Sequence, residues 1–395
     1  MRALLLTSLL ISLPATGGEL RSWTDSLDRK IDAELLKIDG DNVVLKLKDG
    51  REIPYPLGKL SAADRTFVDS QRATLASAPT ATKPAGALNF GDPWPERITF
   101  TEDPEIATIE ENAETKHFVY ESANYRYTCD VRLSKMVVKG FAEMFEATNL
   151  YCATVPLALN GGTPVKGKHQ ILLFEHKENY IQAGGPPSSA GVFIGGKGIV
   201  MVPLESLGVR PVGCGYMLDR EKSNKTLPHE LVHQLTPNAY FESGSMGWFS
   251  EGIAEYIATT PYRAGSFNVR GNFKDIVEYA TGYGKDDRGG RALGTKISLP
   301  PLKKYMLQSY SSFLSNSQLS YGSGLLLTTY FLHLDGDGTG TRLKAFLQAL
   351  RDKKKGEEAL AVLLDGRSYE QMEQDIIKGW GRKGVTFSFG ASGDE

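Results

Sequence analysis

Near the start of the chain, hydrophobic and polar positions group into three short runs. Residues 33–38 read as a strand, residues 43–47 alternate as a second, and residues 51–55 form a third, where Pro54 marks an edge. Residues 39–42 supply one turn. Asp49-Gly50 supplies a hairpin turn, because both positions tolerate positive φ. Ser61 is placed to cap a short helix over 62–68. Large apolar residues then thin out, and residues 73–96, rich in Pro, Ala and Thr, predict an extended, mobile linker. From residue 97 the pattern changes. Residues 117–120 and 170–174 read as strands and residues 191–203 as a hairpin. Residues 134–148 form an amphipathic helix with Met136, Val137, Phe141, Met144 and Phe145 on one face. Helical periods dominate afterwards, so strands followed by helices predict an α+β domain over 97–395.

The N-terminal meander is short enough to predict a small SH3-like β-barrel over residues 20–72. Arg21-Ser22-Trp23-Thr24-Asp25, Ala33-Glu34-Leu35, Asp49-Gly50, and Leu57-Gly58-Lys59-Leu60-Ser61 with Asp64 resemble the SLA1 homology domain 1 family. The resemblance covers about fifty residues. It implies a module that binds a peptide or protein ligand.

Composition narrows the class without naming a function. The 395 residues are 41% hydrophobic and 23% charged, ordinary for globular domains. Forty-five basic residues against 47 acidic ones give no basic surface for nucleic acid or an anionic membrane. Met1-Arg2, an apolar run to Leu13 and Ala15-Thr16-Gly17 read as a cleaved signal peptide over residues 1–17. No later stretch is apolar enough to span a membrane. A secreted or periplasmic protein is expected. In such a compartment Cys129, Cys152 and Cys214 permit one disulfide and leave one thiol free.

The chemistry centres on His229-Glu230-Leu231-Val232-His233. On a helix, residues four apart share a face, so both imidazoles reach one ion. The adjacent Glu230 is placed to act on a water at that ion's open position. Thr226 can cap this helix and Pro237 stops it. A histidine six residues after His233 would complete one class of zinc protease, but that position is Ala239. The better source of a third ligand is Gly247-Trp248-Phe249-Ser250-Glu251-Gly252-Ile253-Ala254-Glu255-Tyr256. Ser250 or a residue just before it starts a helix, so Glu251 and Glu255 share a face. One carboxylate can ligate zinc, and the other can hold a ligand histidine by hydrogen bond.

These two segments resemble the gluzincins, and more closely the secreted peptidase-MA-like proteins with a Trp-x-x-Glu-Gly-x-Ala-Glu-Tyr segment. The likeness runs from about residue 115 to 380 and is specific at the two helices. It implies Zn(2+) held by His229, His233 and Glu251, with Glu230 as general base and Glu255 supporting a ligand histidine. Seventeen residues separate His233 from Glu251, slightly fewer than in the best-known members. The resemblance also implies a tyrosine that stabilises the oxyanion: Tyr321, leading into the helix over 325–334, with Tyr240 as the second choice. In gluzincins an edge strand pairs with substrate backbone, a role open to residues 189–194.

Other signals are weaker. Asp335-Gly336-Asp337-Gly338-Thr339-Gly340 opens like a calcium loop, but its twelfth position is Phe346, so a turn is expected. Ser368 to Gln371 is a capping box opening a helix with Met372, Ile376, Ile377 and Trp380. His117, His169, His176 and His333 have no evident metal partners. The resulting expectation is an exported zinc metallopeptidase acting on a peptide or protein. It would be an endopeptidase, since no motif offers a charge for a chain terminus. The competing class is an inactive zinc-binding scaffold whose small module recruits a partner. The intact Glu230 favours the enzyme.

Overall fold

The computed structural model describes residues 20–39, 42–48, 51–76, 88–159, 162, 164, 167–219, 226–241, 247–263, 265–282 and 290–390. The expected signal peptide and the Asp49-Gly50 turn lie outside these. The chain divides into two compact units, residues 1–82 and 83–395.

In the first unit, strands Arg21–Thr24, Lys30–Asp39, Asn42–Leu47 and Glu52–Pro56 form an antiparallel sheet in sequential order. The expected barrel is not formed. Among the described residues the first and fourth strands do not pair, and only an Asp25–Leu60 bridge approaches closure. The helix Ala62–Ala76 covers the apolar face instead. Trp23, Ala33, Val43, Leu45, Leu60 and Val68 bury together, and the Phe67 ring meets Trp23 edge-on at 5.8 Å. With that face covered, closure is not needed to keep it from water. The helix also runs eight residues past its expected end at Val68.

The extended linker expected over 73–96 is shortened from both sides. The helix occupies its first residues, and residues 88–96 belong to the second unit. Buried Asn89 donates to the carbonyls of Ala153 and Val155, and Trp94 donates to Thr339 O at 2.8 Å.

The second unit is built on a mixed six-stranded sheet. Its spatial order is Val192–Ile194, Ile199–Pro203, His169–Phe174, Tyr125–Cys129, His117–Glu121 and Ala107–Asn112. The strands Ile199–Pro203, His169–Phe174 and Tyr125–Cys129 run parallel to one another, so crossover connections are required. The helix Lys135–Thr154, capped by Ser134, is one of them. Its Phe141 and Phe145 pack edge-on against Tyr127. Met136, expected on that apolar face, is 83% exposed, whereas Val137 and Val138 in the same turn are buried, so it lies on the solvent side of the helix. Helices and three small sheets make up the rest of the described unit. No helix among the described residues is long and apolar enough to cross a membrane.

The disulfide that an oxidising compartment would permit is not formed, and all three cysteines are free. Cys129 is buried in the sheet core, Cys152 is buried in a separate cluster, and Cys214 is exposed. Burial pushes the Cys129 thiol up to about 12. The segment 335–340 is a turn. Asp335 accepts from Arg342 and Arg367, which leaves a carboxylate engaged by cations.

Candidate metal centre

Two helices meet to form the centre. The histidine helix, Thr226–Leu235, lies along the end of the six-stranded sheet. Buried Gln234 fastens it there, donating to Gln170 O and Gly198 O at 3.0 Å each. The glutamate helix, Gly247–Thr259, begins three residues before Ser250 and is buried along almost its whole length. It is apolar on every face except at Ser250, Glu251 and Glu255, as expected for a helix enclosed by others. A third helix, Ser317–His333, packs closely along it. The approach depends on Gly252. A Cβ there would stand 2.3 Å from Thr328 Oγ1 and 2.4 Å from Gly324 O.

Glu251 and Glu255 are each 3% exposed, so both carboxylates need partners. His229 Nε2 lies 3.0 Å from Glu251 Oε2, and His233 Nε2 lies 3.2 Å from the same oxygen. The two Nε2 atoms are 3.1 Å apart. These three residues form a group able to hold a metal ion, each offering one ligand atom and these atoms lying within 4.8 Å of one another. The donor set, two imidazoles and a carboxylate, suits zinc. Three carboxylates, Glu230, Glu251 and Glu255, gather around the two histidines, and the Arg291 guanidinium pairs with Glu255. Burial alone would lower the His229 imidazole, yet Glu251 and Glu255 together raise it to about 10. Burial would raise Glu251, but His233 and His229 hold it well below the ordinary carboxylate range.

The surrounding groups fix these ligands. His229 Nδ1 lies 3.0 Å from Glu255 Oε1. Glu255 in turn accepts a two-pronged pair from Arg291, Nε at 3.0 Å and Nη2 at 2.7 Å. The Tyr310 hydroxyl donates to Glu251 Oε1 at 2.8 Å, which leaves Oε2 facing the histidines. Half-buried Glu230 accepts from the backbone N–H of Phe193 at 2.7 Å. Desolvation raises the Glu230 carboxyl above its ordinary range, which makes it a stronger base.

The structure brings His229, Glu230, His233, Glu251, Glu255 and Tyr321 together. The Tyr321 ring stacks on His229 at 5.8 Å and 23°, and its hydroxyl interacts with that of Tyr310. Tyr240 is elsewhere. It is buried, donates to Leu157 O at 3.0 Å and accepts from Arg351, so its hydroxyl is committed away from the centre. Residues 192–194 do form the sheet's edge strand, and Phe193 reaches Glu230 from it. Half-buried His333 bonds the Tyr256 hydroxyl, and His169 is buried in the sheet region, so neither joins the site.

Sequence reasoning missed Arg291 and Tyr310. Arg291 follows a glycine-rich run without periodicity, and Tyr310 sits in a serine-rich one. The only sequence signal was indirect: two buried carboxylates one helical turn apart require more cationic or donor partners than two histidines provide.

Residues 14–75 match the family model of SLA1 homology domain 1. The match spans the four-stranded unit, slightly beyond the expected 20–72, and none of the metal centre. No curated protein matches the chain.

Proposed function

We propose that the chain is an exported zinc metallopeptidase that cleaves within peptide chains. The observation supporting it most strongly is the convergence of His229, His233 and Glu251 on one point with Glu230 beside them. Export rests on the signal-like residues 1–17.

Zinc held by His229, His233 and Glu251 would supply Lewis acidity, lowering the pKa of a water toward ~7 and polarising the scissile carbonyl. Glu230 accepts the proton of the attacking water. Its Oε2 is engaged by Phe193 N–H, so Oε1 is the atom that takes the proton and later returns it to the leaving amine. Tyr321 donates its hydroxyl to the carbonyl oxygen as negative charge develops there. Tyr310 keeps Glu251 Oε1 occupied, and Glu255 orients His229. The N-terminal module serves separately to engage a peptide or protein ligand, consistent with its family match.

Incubation with a peptide library, read by mass spectrometry, tests the activity. The reading predicts internal cleavages that a chelator abolishes, zinc restores and Glu230→Gln removes. Cleavage unaffected by Glu230→Gln would rule this mechanism out.

A further inference from the structure

Arg291 touches both halves of the centre. Its guanidinium pairs with both oxygens of Glu255, and the same group lies 4.6 Å from the centroid of the Tyr321 ring. Glu255 contacts His229 Nδ1, and Tyr321 stacks on the His229 ring. One cation thus borders the group that orients His229 and the ring that packs on it.

The backbone around Arg291 is built for this reach. The N–H groups of Arg291, Ala292, Leu293 and Gly294 bond to the carbonyls of Tyr279, Gly282, Ala280 and Thr281, at 2.8 to 3.1 Å. This fastens a short strap to the end of the helix Phe273–Thr281. Ala292 holds the strained φ of 53° and Gly294 a φ of 69°, so the strap is tightly turned. Gly322 leaves it room. A Cβ there would stand 2.6 Å from the Leu293 side chain and 3.0 Å from Arg291 Cβ. The glycine after Tyr321 therefore lets the strap lie against the tyrosine helix.

We propose that Arg291 is the positioning residue of the metal centre, acting through Glu255 to hold His229 with Nε2 turned toward the metal. The inference rests on the zinc reading above and deepens it. Two effects of removing Arg291 oppose each other. Loss of a positive charge alone would tighten binding of a cation. Loss of the fork that fixes Glu255 would weaken it, since partners behind metal ligands are commonly worth about 10- to 100-fold in metal affinity. Arg291 is a planar fork matched to a carboxylate, which lysine does not reproduce. Positioning is therefore the larger effect.

The test is zinc affinity of the full chain, measured by competition with a chelating dye and independent of catalysis. Arg291→Met is expected to bind zinc about 10- to 100-fold more weakly than wild type. Arg291→Lys keeps the charge and tests the site if the methionine variant folds poorly; it is expected to stay weaker than wild type. In a Glu255→Gln background, Arg291→Met should add no further loss. Unchanged or tighter binding by Arg291→Met, full recovery by Arg291→Lys, or a full additional loss on Glu255→Gln would each overturn the proposal. Failure of wild type to bind zinc would overturn both this inference and the zinc reading, whereas a wild type that binds zinc beside variants that do not show the expected losses overturns only the inference.

Discussion

The backbone N–H of Phe193 donates a 2.7 Å hydrogen bond to Glu230 Oε2. The edge strand therefore positions the proposed base directly. It also means that this N–H is not free to pair with a substrate while Glu230 holds it, which narrows the strand-pairing role expected for residues 189–194. Phe193→Pro removes the donor at an edge position, where proline is tolerated. A hydrogen bond to a charged group contributes about 1.5–3 kcal/mol, so kcat is expected to fall roughly 10- to 100-fold. Zinc affinity should stay at the wild-type level, and a parallel loss of zinc would show that the strand supports the whole site.

Tyr310 meets a proposed ligand from a surface position. It is 44% exposed, so Tyr310→Phe is expected to leave the fold intact. It frees Glu251 Oε1, which Tyr310 otherwise occupies. Steady-state kinetics should show kcat lowered about 10-fold or more, the lower range for a partner behind a metal ligand. Wild-type kcat in this variant would assign the tyrosine contribution to Tyr321 alone.

Gly252 sets the distance between the glutamate helix and its neighbour. Gly252→Ala places a methyl 2.3 Å from Thr328 Oγ1 and 2.4 Å from the Gly324 carbonyl, a clash with backbone that cannot swing aside. Overpacking of this kind costs about 1–3 kcal/mol. Thermal unfolding should register that loss, and zinc affinity should fall with it, because Glu251 and Glu255 flank the displaced residues. A variant with wild-type stability would mean the helices can separate without cost.

The N-terminal unit carries its own acid-sensitive contact. Burial alone would raise the Asp64 carboxyl, but the Thr24 N–H, the Arg21 guanidinium and the Ser61 hydroxyl hold it below the ordinary range. A depressed carboxyl contributes stability that is fully present above its unfolded value, near ~3.9, and is lost as pH falls through the folded value. Hydrogen-exchange protection over residues 20–76 of the full chain, taken relative to the intrinsic rate at each pH, should therefore fall below about pH 4 in wild type. Asp64→Asn should exchange faster at neutral pH and respond less to acid. An identical pH response in the two proteins would remove Asp64 from this role.

Legibility in the sequence followed locality. The histidine helix, the paired carboxylates and the hairpin over 191–203 were readable, because each depends on spacing within one segment. Tyr321 came through family resemblance rather than pattern. What escaped was non-local. Arg291 reaches Glu255 from 36 positions away, and Tyr310 reaches Glu251 from 59. Neither lies in a periodic run. The closed barrel was expected from strand number, yet the helix Ala62–Ala76 covers the sheet's apolar face. Compartment alone only permitted a disulfide, and Cys129 and Cys152 belong to different cores.

The most direct measurement is the zinc content of the purified chain after dialysis against metal-free buffer. The account predicts one zinc per wild-type chain and none retained by His233→Ala. A folded wild-type protein that retains no zinc, or a His233→Ala variant that keeps its full complement, would contradict it.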